Sequence, residues 1–490
     1  MLFNSFQFLA FFPVVLIGYF VIPNKIKYIW MLIASYYFYM CWNPSYALLI
    51  LTVTGVTYIC GMVIDKSRKY TTRRFVLILG ILFPVGILLY FKYFTFLMQN
   101  VNRILNLINQ KEINLWMDVL LPVGISFYTF QSISYIVDIY RGNLTAEKNF
   151  LKYALYIAFF PQLVAGPIER PGSLLKQISD IPKMKLWDYD RITNGMVFML
   201  YGYFLKMVLA DRLALIVDVI FMNYNELCWT SLVLGAVSFS IQIYCDFASY
   251  SAIAIGAAQI MGIVLMENFN GPYLAVSLKD FWSRWHISLS TWLRDYLYIP
   301  LGGNRCTGYK RDINLMITFL VSGFWHGAAW KYIIWGSMHG FFRIVETETK
   351  QLRKRIRRKI GMREKCISYK LLRVTEVFLI VTLTWIFFRA NSIWDALHYI
   401  KRIVWLSEGG VWRQFIEMEN LEIYIVLLAI AILFLCDLAK ELTGERMDVL
   451  LNKQNLYFKW GVLLVEIIMI LVFGVYGVNV ELEPFIYFQF

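Results

Sequence analysis

The chain has 490 residues, 59% of them hydrophobic and only 16% charged, with a formal net charge of +14. A soluble globular domain carries about 25% charged residues; here the deficit runs the whole length, which excludes an ordinary soluble enzyme or a soluble body on one anchor. The basic excess does not indicate nucleic-acid binding either, because five basic residues against one acidic in 65–74 and twelve against three in 343–373 account for nearly all of it, in loops that interrupt apolar stretches.

A bilayer core of about 30 Å needs about 20 mostly apolar residues per helix. Such stretches are predicted near 5–22, 28–42, 45–63, 75–95, 116–137, 150–167, 193–210, 229–260, 313–345 (two elements), 372–389, 421–437 and 460–478. The expected fold class is an all-α polytopic membrane protein of roughly 11–12 spans. The chain start, MLFNSFQFLAFFPVVLIGYF, lacks a basic leader region and a small-residue cleavage site, so it reads as a retained first helix. Lys25 and Lys27 lie between the first two spans and 65–74 follows the third; positive-inside topology then puts the N-terminus outside. Within one membrane domain the expected parts are N-terminal helices over 1–115, a core over 116–345, a basic cytoplasmic loop over 346–371 and C-terminal helices over 372–490. The basic loops suit contact with anionic lipid heads. The seven cysteines are scattered without a CxxC, which argues against a disulfide framework and a zinc site, so no metal is expected.

The region 265–345 stands apart. Its first part is too polar for a simple span and too aromatic for a water-facing loop, and irregular backbone at membrane depth is tolerated where protein buries it or it lines a cavity. On a continuous helix Asp280, His286, Ser290 and Arg294 would form a polar strip against Trp282, Trp285 and Trp292. The plain reading is an interfacial helix with snorkelling arginine; the functional one is a re-entrant helix carrying a site. Next comes FWHGAAWKYIIWGSMHG at 324–340, with two of the four histidines, His326 and His339. A titratable group inside a span is expensive, and function is its default reading. A neutral imidazole there is a general base. Thirteen residues separate the two, about 220° on an unbroken helix, so they share one channel only if Gly327 or Gly336 breaks it. Asp246, in YCDFASYS, reads either as a packing hydrogen bond or as a site residue paired with a histidine or with Arg294. Asp211 and Arg212 read as a span end, Glu466 as a packing contact, His398 as part of an amphipathic face, and Gly302-Gly303 as a turn.

The segments FWSRWHISLSTWLRDYLYIPLGGNR at 281–305 and SGFWHGAAWKYIIWGSMHG at 322–340 resemble the membrane-bound O-acyltransferase family, most closely the branch of the alginate O-acetyltransferase membrane subunit. GISFYTFQSISYIVDIYRG at 124–142, FFPQLVAGPIER at 159–170 and NFNGPYLAVSLKDFW at 268–282 agree, and the likeness runs to about residue 400. The resemblance implies a helical bundle with re-entrant or interfacial helices around a central tunnel. It implies that His326 of the WHG motif is catalytic and that His286 of RWHISLS is its companion, and His339 matches a further family position; the residues themselves offer Ser290, Arg294 and Asp246, with His339, as possible supports. It further implies a cytoplasmic donor, acetyl-CoA as substrate with no permanently bound cofactor, and an acceptor beyond the membrane. The partners so implied are an extracytoplasmic transferase and an exported polysaccharide, and the location a bacterial cytoplasmic membrane. Two readings stand beside it: D-alanyl transfer to teichoic acid, as in another branch, and, from a different class, a transporter or flippase, which many spans and a buried acid would suit but for which no repeated halves are found.

Overall fold

The structure is a computed structural model describing residues 1–113, 121–163, 166–364, 366–416, 418–476 and 485. Among these residues every regular element is helical, and the one pairing of extended backbone is the isolated bridge between Leu227 and Gly410. The expected boundary at 115–116 lies outside the described residues, as does part of the predicted span 116–137.

Among the described residues six helices are long and apolar enough to cross a membrane: Ser45–Lys66, Tyr70–Leu107, Trp229–Ile260, Ile367–Arg389, Asn420–Thr443 and Leu456–Phe473. Other predicted stretches form shorter or more polar helices. Phe6–Val21 has 16 residues and Lys27–Met40 has 14. The stretch 150–167 contains the short helices Phe150–Ala158 and Phe160–Leu163, and 313–345 is two helices, Gly308–His326 and Trp330–Glu348. The reason is physical: an apolar run records burial, and it reads alike whether lipid or protein does the burying. Phe150–Ala158 is an instance, with Tyr153 to Ala158 all inside the protein.

The chain packs as two compact units, Met1–Met196 with Ile253–Met266, and Val197–Ala252 with Glu267–Phe490. In the first, Ile125–Arg141 is bracketed by Gly124 and Gly142, both at positive φ, and a side chain at Gly124 would collide with the Leu163 carbonyl. Tyr19 donates to the Met261 carbonyl (2.6 Å), and the Thr57 and Tyr153 hydroxyls meet at 2.8 Å. Glu169 lies buried there and accepts from the Met266 N–H (2.5 Å). Burial pushes its carboxyl up to about 7, against the lowering by that hydrogen bond and by Arg170.

The second unit carries the hairpin Gly308–His326 and Trp330–Glu348. Gly323, Gly336 and Gly340 let its two backbones approach, as small residues do between membrane helices. The basic segment after it forms a helix, Lys350–Lys359.

Candidate active site

His286 reaches the interior because a helix stops there. Ser277 caps Leu278–Arg284 by accepting from Asp280 N–H (3.0 Å), and the Glu346 carboxylate accepts from Leu278 N–H (2.8 Å) and Lys279 N–H (3.2 Å). The helix ends at Trp285. His286 then takes φ +41°, ψ +55°, in the left-handed region, and Ile287–Leu293 starts in a new direction. Asn268 pins this second helix: its carbonyl accepts from Ile287 N–H (3.0 Å), its Oδ1 from the Ser288 hydroxyl (2.6 Å), and its Nδ2 donates to Ser251 (3.1 Å). The imidazole is fully buried, edge-on to Phe247 at 4.6 Å and 5.8 Å from the Trp325 ring.

This break takes Asp280 out of the polar strip expected on one continuous helix, leaving His286, Ser290 and Arg294 on the run that follows. Asp280 pairs with Arg284 (2.8 Å), the Ser290 hydroxyl donates to the Trp285 carbonyl (3.1 Å), and Arg294 is an exposed residue paired with Asp295 (2.7 Å). Gly302-Gly303 is a turn, as read, both residues at positive φ.

His326 is the last residue of its helix. Gly327, extended at φ −171°, ends the run, and the next helix begins at Trp330. That is one of the two glycine breaks under which His326 and His339 can share surroundings. The His326 ring meets Trp325 at 5.0 Å, Trp335 at 5.0 Å and 88°, and Phe388 at 5.5 Å. Trp335 also meets His339, at 4.9 Å and 71°. Trp325 is thus shared by His286 and His326, and Trp335 by His326 and His339. The His339 Nε2 lies 2.9 Å from the Thr384 hydroxyl.

A cavity of about 420 Å³, within the range of small-molecule sites, opens beside these residues. Trp282, Ser290, Phe319 and Ser322 line it, with Lys279, Arg294 and Arg343 contributing cationic side chains. Ser290 is one helical turn beyond His286, whose carbonyl accepts its N–H (2.9 Å), and Ser322 is one turn before His326. The cavity wall therefore reaches within a turn of both imidazoles.

Asp246 precedes Phe247, the ring that packs on His286, and has a partner that the sequence reading did not name. Lys206 holds it at 2.6 Å, and Lys206 also holds Asp211 at 2.8 Å. All three side chains are almost wholly buried. Lys206 sits in a π-helical segment, Phe204–Ala210, immediately before the helix that Asp211 opens, so Asp211 is an internal ion-pair partner. Arg212 instead pairs with Glu422 (2.6 Å). Sequence reasoning missed Lys206, although a lysine inside the apolar run 193–210 was the available signal. It also missed Trp335, Ser322 and Thr384, which carry no local mark. His398 lies on the amphipathic helix Ile393–Val404, where its Nδ1 is 3.0 Å from the Trp394 carbonyl.

These features define a polytopic helical membrane protein with buried imidazoles held by aromatic rings, two of them one helical turn from residues that line a cavity. Residues 145–392 match the family described as MBOAT, membrane-bound O-acyltransferase family, and the chain belongs to it, as its WHISLS and WHG segments suggested. It is accordingly an acyltransferase of multi-pass membrane type. The chain is 39% identical to a probable alginate O-acetylase of Pseudomonas aeruginosa over 396 residues, 80% of this chain and 73% of that one. It is 34% identical to a peptidoglycan O-acetyltransferase of Helicobacter pylori over 437 residues, 83% and 80% of the two chains. A teichoic acid D-alanyltransferase of Bacillus subtilis is 31% identical over 232 residues, 44% of this chain and 56% of that protein.

Proposed function

We propose that the protein transfers an acetyl group from acetyl-CoA on the cytoplasmic side for O-acetylation of an exported or cell-surface polysaccharide, in a bacterial cytoplasmic membrane. The carrying observation is the cavity whose wall comes within one helical turn of both His286 and His326. Coenzyme A bears phosphates that cannot enter hydrocarbon, but Lys279, Arg294 and Arg343 suit its anionic end and the apolar interior suits its thioester arm. Arg343 opens the basic segment 343–373, which positive-inside topology puts in the cytoplasm. The acetyl acceptors in the relatives' names, alginate and peptidoglycan, are both glycan polymers.

In this reading His326 accepts the proton of an incoming hydroxyl as its oxygen attacks the thioester carbonyl. The carbon–sulfur bond breaks, the thiolate leaves, and the imidazolium returns the proton to sulfur. His286, with Ser290, orients the acceptor or steadies the oxyanion. The acceptor is the polymer or a hydroxyl on an extracytoplasmic transferase that relays the group. D-Alanyl transfer is the weaker reading, since the match to a D-alanyltransferase covers 44% of the chain against 80% or more for the two acetyl-transferring relatives.

The test is turnover of labelled acetyl-CoA, together with polymer O-acetylation, in membranes whose only copy carries His326→Ala at normal protein level. Loss of both is the expected result. Retained turnover would overturn the mechanism, and label transfer from a D-alanyl carrier protein in place of acetyl-CoA would move the enzyme to the other branch.

A further inference from the structure

His339 is wholly buried and makes a hydrogen bond whose direction can be worked out. A threonine hydroxyl has one proton to donate. That of Thr384 goes to the Val381 carbonyl three residues back on its own helix, at 2.7 Å. The contact between Thr384 and His339 Nε2, at 2.9 Å, must therefore run the other way, with Nε2–H donating to the threonine oxygen. A neutral ring so held carries its proton on Nε2 and presents Nδ1 as a bare acceptor, and Nδ1 has no hydrogen-bond partner among the described residues. Aromatic side chains enclose the ring: Trp282 at 5.0 Å, Trp335 at 4.9 Å, and Phe281, Phe319 and Trp385 between 6.3 and 6.4 Å.

Two of these neighbours matter beyond packing. Trp335 is the ring against which His326 stands at 88°, and Trp282 and Phe319 line the cavity. A shift of the His339 ring would move one wall of the cavity and the backing of His326 together.

We propose that His339 is a positioning residue for acyl transfer: anchored by Nε2–H to Thr384, it fixes Trp335 and thereby the orientation of the His326 imidazole. It is not a second base in the reaction. This rests on the assignment of His326 as the base.

The test is a set of variants assayed for acetyl-CoA turnover beside His326→Ala. Thr384→Val removes the acceptor at nearly constant volume; it is expected to lower kcat by about ten-fold, the size of one lost buried hydrogen bond, with KM for the donor unchanged. Thr384→Ser restores the acceptor and is expected to recover most of the loss. His339→Gln, whose amide can donate from near the Nε2 position, is expected to exceed His339→Ala in kcat. In ¹⁵N-histidine-labelled protein the His339 Nδ1 signal should lie at the shift of an unprotonated imidazole nitrogen, and Thr384→Val should disturb the His326 signals. If Thr384→Val leaves kcat and the His326 signals unchanged, or His339 carries its proton on Nδ1, the proposal fails. If His326→Ala itself retains turnover, the underlying assignment of the base fails instead. A Thr384→Val loss that Thr384→Ser does not recover would also overturn the proposal, because bulk and not the hydrogen bond would then be responsible.

Discussion

Gly323 and Gly336 meet face to face across the Gly308–His326 and Trp330–Glu348 hairpin, so closely that a Cβ on Gly336 would lie 3.0 Å from the Gly323 Cα. The same Cβ would run into the Phe319 carbonyl. His326 is three residues from one glycine and Trp335 is adjacent to the other, so this approach brings imidazole and indole to 5.0 Å.

Gly336→Ala is therefore expected to separate the hairpin and cost about 1–3 kcal/mol of stability, as overpacking does, with a ten-fold or greater fall in turnover by the order of one weakened contact. Gly55→Ala, with open space around it, serves as the control and is expected to be neutral or slightly stabilising. Thermal unfolding in detergent and acetyl-CoA turnover check both.

Lys206 holds Asp211 and Asp246 in the interior, and a buried pair is costly to break from one side. Lys206→Met leaves two carboxylates without their cation and is expected to destabilise by about 3–5 kcal/mol. Adding Asp211→Asn and Asp246→Asn to it is expected to restore much of that loss. The readout is the unfolding midpoint of the single and triple variants.

Glu169 sets a pH dependence whose sign follows from burial. Its folded-state pKa of about 7 lies above the ordinary glutamate value, about 4.3. As pH rises between these values the unfolded chain gives up the proton first, so stability falls across that window and the loss is complete above about 7. Glu169→Gln is expected to flatten this slope, measured as the difference in unfolding midpoint between about pH 5 and about pH 8. An unchanged slope would mean that other groups carry it.

Cys228 precedes the Trp229–Ile260 helix, and its sulfur lies 3.4 Å from the Ser231 hydroxyl and 3.1 Å from that of Thr230. Hydrogen bonds from these two, Ser231 first, hold the thiol down to about 7. Alkylation by iodoacetamide in isolated membranes is expected to rise through about pH 7 at this residue, since the thiolate is the nucleophile. Ser231→Ala is expected to move that rise to higher pH, followed by peptide mass spectrometry.

The sequence made the helical class and the buried polar residues of the candidate site legible for one reason: polar and titratable residues are conspicuous in apolar text. His286 and His326 stood out that way, as did Asp246. What surrounds them did not. Trp335, Phe388 and Thr384 are ordinary apolar or weakly polar residues of helices, and only packing shows that they wall in His326 and anchor His339. The strip lost its Asp280 end because helical spacing assumes one axis and the backbone turns at His286, while Ser290 stays one turn beyond that residue. The pairing of Asp246 with Lys206 was not legible because Lys206, forty residues earlier, is brought to it by tertiary packing.

The left-handed backbone at His286 has an evolutionary consequence. For a residue other than glycine that conformation costs on the order of 1 kcal/mol, and the chain accepts it where the His286 imidazole is buried. Glycine would relax the backbone but lose the imidazole and leave a hole among the rings. On the proposed role of His286, selection for stability and selection for catalysis pull this position in opposite directions, and Phe247 and Trp325 pack the ring that serves both.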